Sequence, residues 1–201
     1  VPCDMDAICH IAAKHDIKVV EDAAQALFST HNDRKLGTIG DIGCLSFHET
    51  KNVISGEGGA LLINSEQYID RAEIIRQKGT NRNAFIKGIV DKYSWIDIGS
   101  SFIPGELTAA FLFAQLETAE KIIAKRKRLF NKYMSALLPV AEQGLITLPC
   151  VDAACSANGH IFFILCNSAK ERLALLDEYN KRGINAVFHY VPLHSSPAGR
   201  R

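Results

Sequence analysis

Apolar residues recur at helical spacing at the start of the chain, at Met5, Ile8, Cys9, Ala12 and Ala13, with Asp4 ahead of them as a cap. The pattern predicts an amphipathic helix over residues 5–15. The run Ile-Lys-Val-Val-Glu at 17–21 predicts a short strand that ends in Asp22-Ala23-Ala24-Gln25. Asn32-Asp33, Gly37 and Gly40 mark 29–41 as a loop or hairpin. Two further apolar strands follow at 42–47 and 60–63. The polar loop between them, 48–59, carries Gly56, Gly58 and Gly59. Ser65 reads as the cap of a helix running to Arg76. Residues 78–104 read as irregular, with Gly79, Gly88, Gly99 and Pro104, and a long helix is expected over 106–138.

The last third has a different texture. Residues 160–166 read as an apolar strand. Ser168 and Glu171 form a capping box ahead of Leu173, Leu175, Leu176 and Tyr179, and Gly183 stands at the usual C-terminal position of that helix. A further strand is expected at 184–190. Strand, helix, strand on this scale predicts a small α+β unit, with the boundary inside the long helix near residue 120.

Composition narrows the class. Of 201 residues, 47% are hydrophobic and 22% charged, as in ordinary globular proteins. A net charge of +1 gives no electrostatic case for nucleic acid or an anionic membrane. No apolar run approaches a membrane helix, and no signal peptide opens the chain. Six scattered cysteines without a Cys-x-x-Cys predict a reduced, cytosolic protein in which Cys44 and Cys166 act as small hydrophobes. The spacing of Cys150, Cys155, His160 and Cys166 matches no zinc ribbon or finger, so no metal is expected. The basic run from Lys121 to Arg128, near Glu117 and Glu120, reads as a solvated helix face.

Two residues stand out as candidate chemistry. Asp22 lies just past the end of a strand, where open α/β sheets place ligand-binding groups, although Asp serves turns there as readily. Lys51 follows the next strand, beside the glycine-rich loop, where a solvated surface lysine is the ordinary outcome. Together they suit pyridoxal phosphate. The Lys amine forms the Schiff base, and the Asp carboxylate keeps the pyridine nitrogen protonated. Ser46 and the glycines offer a hydroxyl and backbone N–H groups to a phosphate, while turn formation alone also explains the glycines. Neither a Walker motif nor a Gly-x-Gly-x-x-Gly after a strand is present. His189 and His194, flanking Tyr190 and Pro192, either line a polar pocket or sit on the surface.

In order, the chain holds Val19-Val20-Glu21-Asp22-Ala23-Ala24-Gln25-Ala26, Gly37-Thr38-Ile39-Gly40-Asp41, Ser46-Phe47-His48-Glu49-Thr50-Lys51-Asn52 and Gly56-Glu57-Gly58-Gly59. This resembles the DegT/DnrJ-type sugar aminotransferases, pyridoxal phosphate enzymes of fold type I. Arg76-Gln77-Lys78-Gly79-Thr80-Asn81-Arg82, Asp91-Lys92-Tyr93, Asp97-Ile98-Gly99-Ser100-Ser101 and Phe188-His189-Tyr190-Val191-Pro192-Leu193-His194 are similar to the members that aminate dTDP-linked 4-keto-6-deoxyhexoses for surface polysaccharide.

The resemblance implies an α/β fold of the aspartate aminotransferase type. Residues 1–120 would belong to the large cofactor-binding domain and 121–201 to part of the small α+β C-terminal domain, with the chain truncated at both ends. It implies Lys51 as Schiff-base lysine and proton shuttle, and Asp22 as partner of the pyridine nitrogen. Ala24 would pack on the ring, Gln25 would bond near its hydroxyl and Ser46 would contact the phosphate. His189 and Tyr190 would lie on the substrate side. It further implies glutamate as amino donor, a homodimer with shared active sites, and a cytoplasmic location. Many relatives carry an Asn near Ile103 that reaches the neighbouring subunit's phosphate, and Ser100 or Ser101 would stand in for it here. The competing readings are a UDP-linked or 3-keto sugar as substrate, a sugar 3-dehydratase (disfavoured because that group carries His where Lys51 stands), and a non-catalytic fragment or regulator.

Overall fold

The computed structural model describes residues 1–201. The chain divides into two compact units. The first comprises Val1–Ser135 and Pro149–Phe162, the second Ala136–Leu148 and Phe163–Arg201.

The first unit opens on helix α1, Met5–Lys14, where the Asp4 side chain accepts from the Ala7 N–H at 3.0 Å. Strand β1 (Val20–Asp22) lies beside β4 (Ile42–Ser46), and β4 beside β5 (Gly59–Ile63). β1 and β4 are parallel, with Asp22 opposite Cys44, so both strands deliver their C-terminal ends to the same edge. β5 runs antiparallel to β4, with Ser46 opposite Gly59. The segment between β1 and β4 holds the hairpin of β2 (Thr30–His31) and β3 (Arg34–Lys35), where Asn32 and Asp33 take positive φ.

A carboxylate fixes the approach to β4. Glu21 is buried and accepts three backbone N–H groups, from Gly37 (2.7 Å), Ile39 (2.6 Å) and Gly40 (2.7 Å). Asn64 grips the same loop from the other side, donating to the carbonyls of Gly37 (3.0 Å) and Gly40 (2.9 Å). Gly43 makes this approach possible, because a Cβ there would stand 2.0 Å from the Gly37 oxygen. Phe47, Val53 and Ala119 form the buried core, with Leu27, Phe28, Leu45, Ala60 and Leu112 packed around it.

Several expected elements are corrected. Ser65 makes no cap bond: its hydroxyl accepts from the Gln67 side chain at 3.0 Å, and a 3-10 turn, Glu66–Tyr68, precedes helix α2 (Ile69–Arg76). Residues 78–104 include one short helix, α3 (Arg82–Ile86). The single helix expected over 106–138 is two, α4 (Glu106–Glu117) and α5 (Ala119–Glu142). Between them the Thr118 hydroxyl donates back to the Gln115 carbonyl at 3.2 Å, the competition with backbone bonding that lets Thr interrupt a helix. α4 carries apolar side chains on every face, with Leu107, Phe111, Phe113 and Leu116 all exposed.

The second unit holds β6 (Ile146–Thr147) paired with β8 (Leu165–Cys166), and helix α6 (Ala169–Lys181). Ser168 accepts from the Glu171 N–H at 3.1 Å, the capping bond expected of it, and Gly183 takes φ +71°. β7 (Cys155–Ser156) belongs to the first unit, paired with β2. The strand expected at 160–166 shrinks to β8. The His160 N–H goes instead to the Asn158 side chain and its carbonyl to Arg126, which leaves no ladder there. Residues 184–190 form no strand either: they have no neighbouring strand to pair with, and Val187 and Tyr190 are exposed.

Candidate active site

The strand ends and their loops meet in a cleft of the first unit. Ala24, Gln25, Leu27, Ser46, Lys51, Asn52, Val53, Asn158 and His160 line it. Four of the residues expected from sequence are thus brought together: Ala24 and Gln25 from the loop after β1, Ser46 from the end of β4, and Lys51 from the loop beyond it.

Asp22 is exposed at the end of β1, and its Oδ1 accepts from the Ala24 N–H at 3.1 Å. The turn role and the ligand role are therefore compatible, since a carboxylate keeps lone pairs free for a second donor. Alternation along β1 sends Glu21 inward and leaves Asp22 in solvent. Ser46 Oγ accepts from the His48 N–H at 3.3 Å. The Lys51 backbone N–H closes a turn on the His48 carbonyl at 2.9 Å. The next two residues, Asn52 and Val53, are buried, so the lysine stem is anchored where it leaves the chain. His189 and Tyr190 belong to the second unit, both exposed, with ring centroids 6.1 Å apart.

Sequence reasoning missed the residues that tie this site together. Asn158, only 4% exposed, donates to the carbonyls of Gln25 (2.9 Å) and Leu27 (2.8 Å), and its N–H goes to the Ser29 hydroxyl at 3.1 Å. His160 Nδ1 bonds to Asn52 Oδ1 at 2.8 Å. Arg126 on α5 donates to the carbonyls of Gly159 (3.3 Å) and His160 (2.7 Å). Asn158 and His160 lie more than a hundred residues from the loops they hold, and no local spacing announces them. Glu21 stands in the Val19–Ala26 run, yet an acidic residue in a short apolar strand gives no sign of three backbone partners.

The model of the DegT/DnrJ/EryC1/StrS aminotransferase family matches residues 1–201. The chain belongs to this family. It is 31% identical to the spore coat polysaccharide biosynthesis protein SpsC of Bacillus subtilis, over 97% of this chain and 51% of that protein. It is also 31% identical to the dTDP-3-amino-3,4,6-trideoxy-alpha-D-glucose transaminase of Streptomyces venezuelae, over 98% of this chain and 48% of that protein. The GDP-perosamine synthase of Caulobacter vibrioides is 28% identical over 97% of this chain and 51% of its own length. Among solved structures, DesV of S. venezuelae superposes with a TM-score of 0.84 at 30% identity, covering 99% of this chain and 50% of DesV. The chain spans about half the length of the curated relatives it matches. The fold is therefore the α/β fold of the sugar aminotransferases, as expected from the sequence.

Enzymes of this family use pyridoxal phosphate, and the donor set here fits that group. An exposed carboxylate at a strand end suits a protonated ring nitrogen, a small Ala face suits a flat ring, a Ser hydroxyl suits phosphate, and a primary amine suits the aldehyde. Lys51 Nζ enters no hydrogen bond or ion pair with the protein, so no internal partner has to be displaced.

Proposed function

We propose that this chain carries the cofactor-binding centre of an aminotransferase that moves an amino group from glutamate to the 4-keto carbon of a dTDP-linked 4-keto-6-deoxyhexose. The product would be dTDP-4-amino-4,6-dideoxygalactose, a building block for surface polysaccharide. The observation that carries the reading is the shared cleft of Ala24, Gln25, Ser46 and Lys51 at the parallel ends of β1 and β4.

Pyridoxal phosphate, when bound, supplies the electron sink that lets nitrogen leave the donor's α-carbon and join the keto sugar. The chain's residues supply the rest. The Lys51 amine holds the cofactor at rest and, once displaced, moves the proton to and from the reacting carbon as a general base. Asp22 holds a proton at the pyridine nitrogen. Ala24 packs against the ring, Gln25 bonds near its hydroxyl and Ser46 binds the phosphate. His189 and Tyr190 contact the sugar substrate. The protein acts as a homodimer with shared sites, in the cytoplasm. The apolar faces of α4 support a partner, since exposed surface of that kind is normally covered. No helix is long and apolar enough to cross a membrane.

A second reading, amination at a 3-keto position or on another nucleotide, has support of its own. One relative of 31% identity is named for a 3-amino sugar, and another, of 28%, for a GDP sugar. A panel of nucleotide keto-sugars separates the two by which is turned over. Borohydride reduction of the loaded protein is expected to fix a pyridoxyl group on the peptide containing Lys51. Lys51→Ala is expected to abolish both adduct and transamination. Cofactor fixed at Lys78 or Lys92 instead overturns the assignment.

A further inference from the structure

The cleft contains a polar strap, buried at Asn158 and half-buried at His160, that the roles above leave unused. Residues 158–160 are pinned on three sides. Asn158 holds the loop after β1 through the Gln25 and Leu27 carbonyls. Gly159, at φ +69°, lies so close to α5 that a Cβ would stand 2.9 Å from the Arg126 backbone. Asn52 holds His160, and Asn52 is the residue that follows Lys51.

The chemistry of the Asn52–His160 bond has one direction. The Asn52 amide nitrogen donates toward the Asn158 carbonyl at 3.5 Å, which turns its oxygen toward the ring at 2.8 Å. An amide oxygen only accepts, so His160 Nδ1 carries the hydrogen. Asn52 is 7% exposed, and a buried amide whose oxygen lost this donor would have no water to replace it. The backbone at Lys51 is thus tied, through its neighbour, to the same strap that ties the loop bearing Ala24 and Gln25.

Resting on the assignment of Lys51 above, we infer that His160 and Asn52 are positioning residues for the Lys51 amine. They hold the lysine stem in register with the loop after β1 and keep bulk water off it. A catalytic amine misplaced by even an ångström loses much of its advantage, because the geometry of attack is set before reaction.

The test uses the holoenzyme. The visible absorbance of cofactor held on Lys51 is titrated with pH, and kcat and KM are measured, for wild type, His160→Ala, Asn52→Ala and His160→Asn. His160→Ala is expected to raise the titration midpoint by about one pH unit, because water admitted beside the Lys51 nitrogen joined to the cofactor favours its charged form. It should also lower kcat about tenfold or more while KM stays within about twofold. Asn52→Ala should reproduce both effects. His160→Asn keeps an N–H near the position of Nδ1 and should recover most of kcat. A wild-type midpoint and kcat in His160→Ala, or in Asn52→Ala if the first variant does not fold, overturns the inference. So does a His160→Asn protein that melts like wild type yet is as impaired as His160→Ala, since the other ring nitrogen would then be acting directly. A pyridoxyl group still fixed to the protein by borohydride in Lys51→Ala instead fails the assignment of Lys51 itself, and the two failures are told apart by that variant.

Discussion

The two compact units are held by different kinds of bond. In the first, side chains reach across the sequence to backbone groups of distant loops: Glu21 to the Gly37–Gly40 turn, Asn64 to the same turn, Asn158 to the loop after β1. In the second, most side-chain bonds span a single turn, although Asn167 reaches back to the Gly144 carbonyl at 3.0 Å. Ser168 caps α6, Asp177 pairs with Lys181 and Glu178 with Arg182 one turn apart, and Arg172 lies over the Phe188 ring at 5.1 Å. The difference matters because loops carrying chemistry need fixed positions that ladders and helix caps do not give them. The functional residues expected from sequence in the cleft all lie in the unit with the long-range bonds.

Four substitutions probe that contrast, beginning with the largest effect. Glu21→Ala strips one buried carboxylate from three N–H groups and is expected to cost about 3 to 5 kcal/mol in a denaturant melt. A loss below that of a helix cap would mean that the turn holds itself. Asp22→Asn, one residue on, is expected to leave the melt nearly unchanged, because the side chain is exposed. It should lower turnover by two decades or more, about 2.7 kcal/mol of transition-state stabilisation. Near-normal turnover would remove Asp22 from the site.

In the second unit, Ser168→Ala should cost only about 1 kcal/mol, the ordinary value of an N-cap. A larger loss would show that α6 is held by more than local bonds.

The smallest effect is electrostatic. The Glu73 carboxyl is held below the usual carboxylate range by its bond to Arg76, opposed by burial and assisted by Gln77 and Asn83. A carboxyl depressed in the folded state stabilises above its unfolded value, and that contribution is lost as pH falls through the folded one. The difference in melting temperature between wild type and Glu73→Gln should therefore shrink steadily on acidification from neutral pH. A gap that stays constant through the carboxylate range contradicts the role.

Local signals are legible in the sequence where the physics is local. The Asp4 and Ser168 caps, the positive-φ turn at Asn32-Asp33 and the apolar runs of β4 and β5 all lie where the chain pattern put them. Each depends on neighbours within a few residues. The same logic failed at Ser65, whose hydroxyl found Gln67, and at Thr118, whose hydroxyl broke a helix that apolar periodicity would have continued. It failed again at 184–190, because a strand needs a partner and apolar character alone does not provide one.

The sequence by itself determined the Asp4 and Ser168 helix caps, the candidate lysine and aspartate, and the order of motifs that marks the family. Only the tertiary structure decided what holds those residues. Glu21 and Asp22 are adjacent acids that a sequence treats alike, yet the pleat buries one on three N–H donors and turns the other outward. Asn158 and His160 look like ordinary polar residues until the fold brings them beside Gln25 and Asn52. The reason is physical: the strength of a polar group depends on whether water can compete for it, and burial is a property of the whole fold.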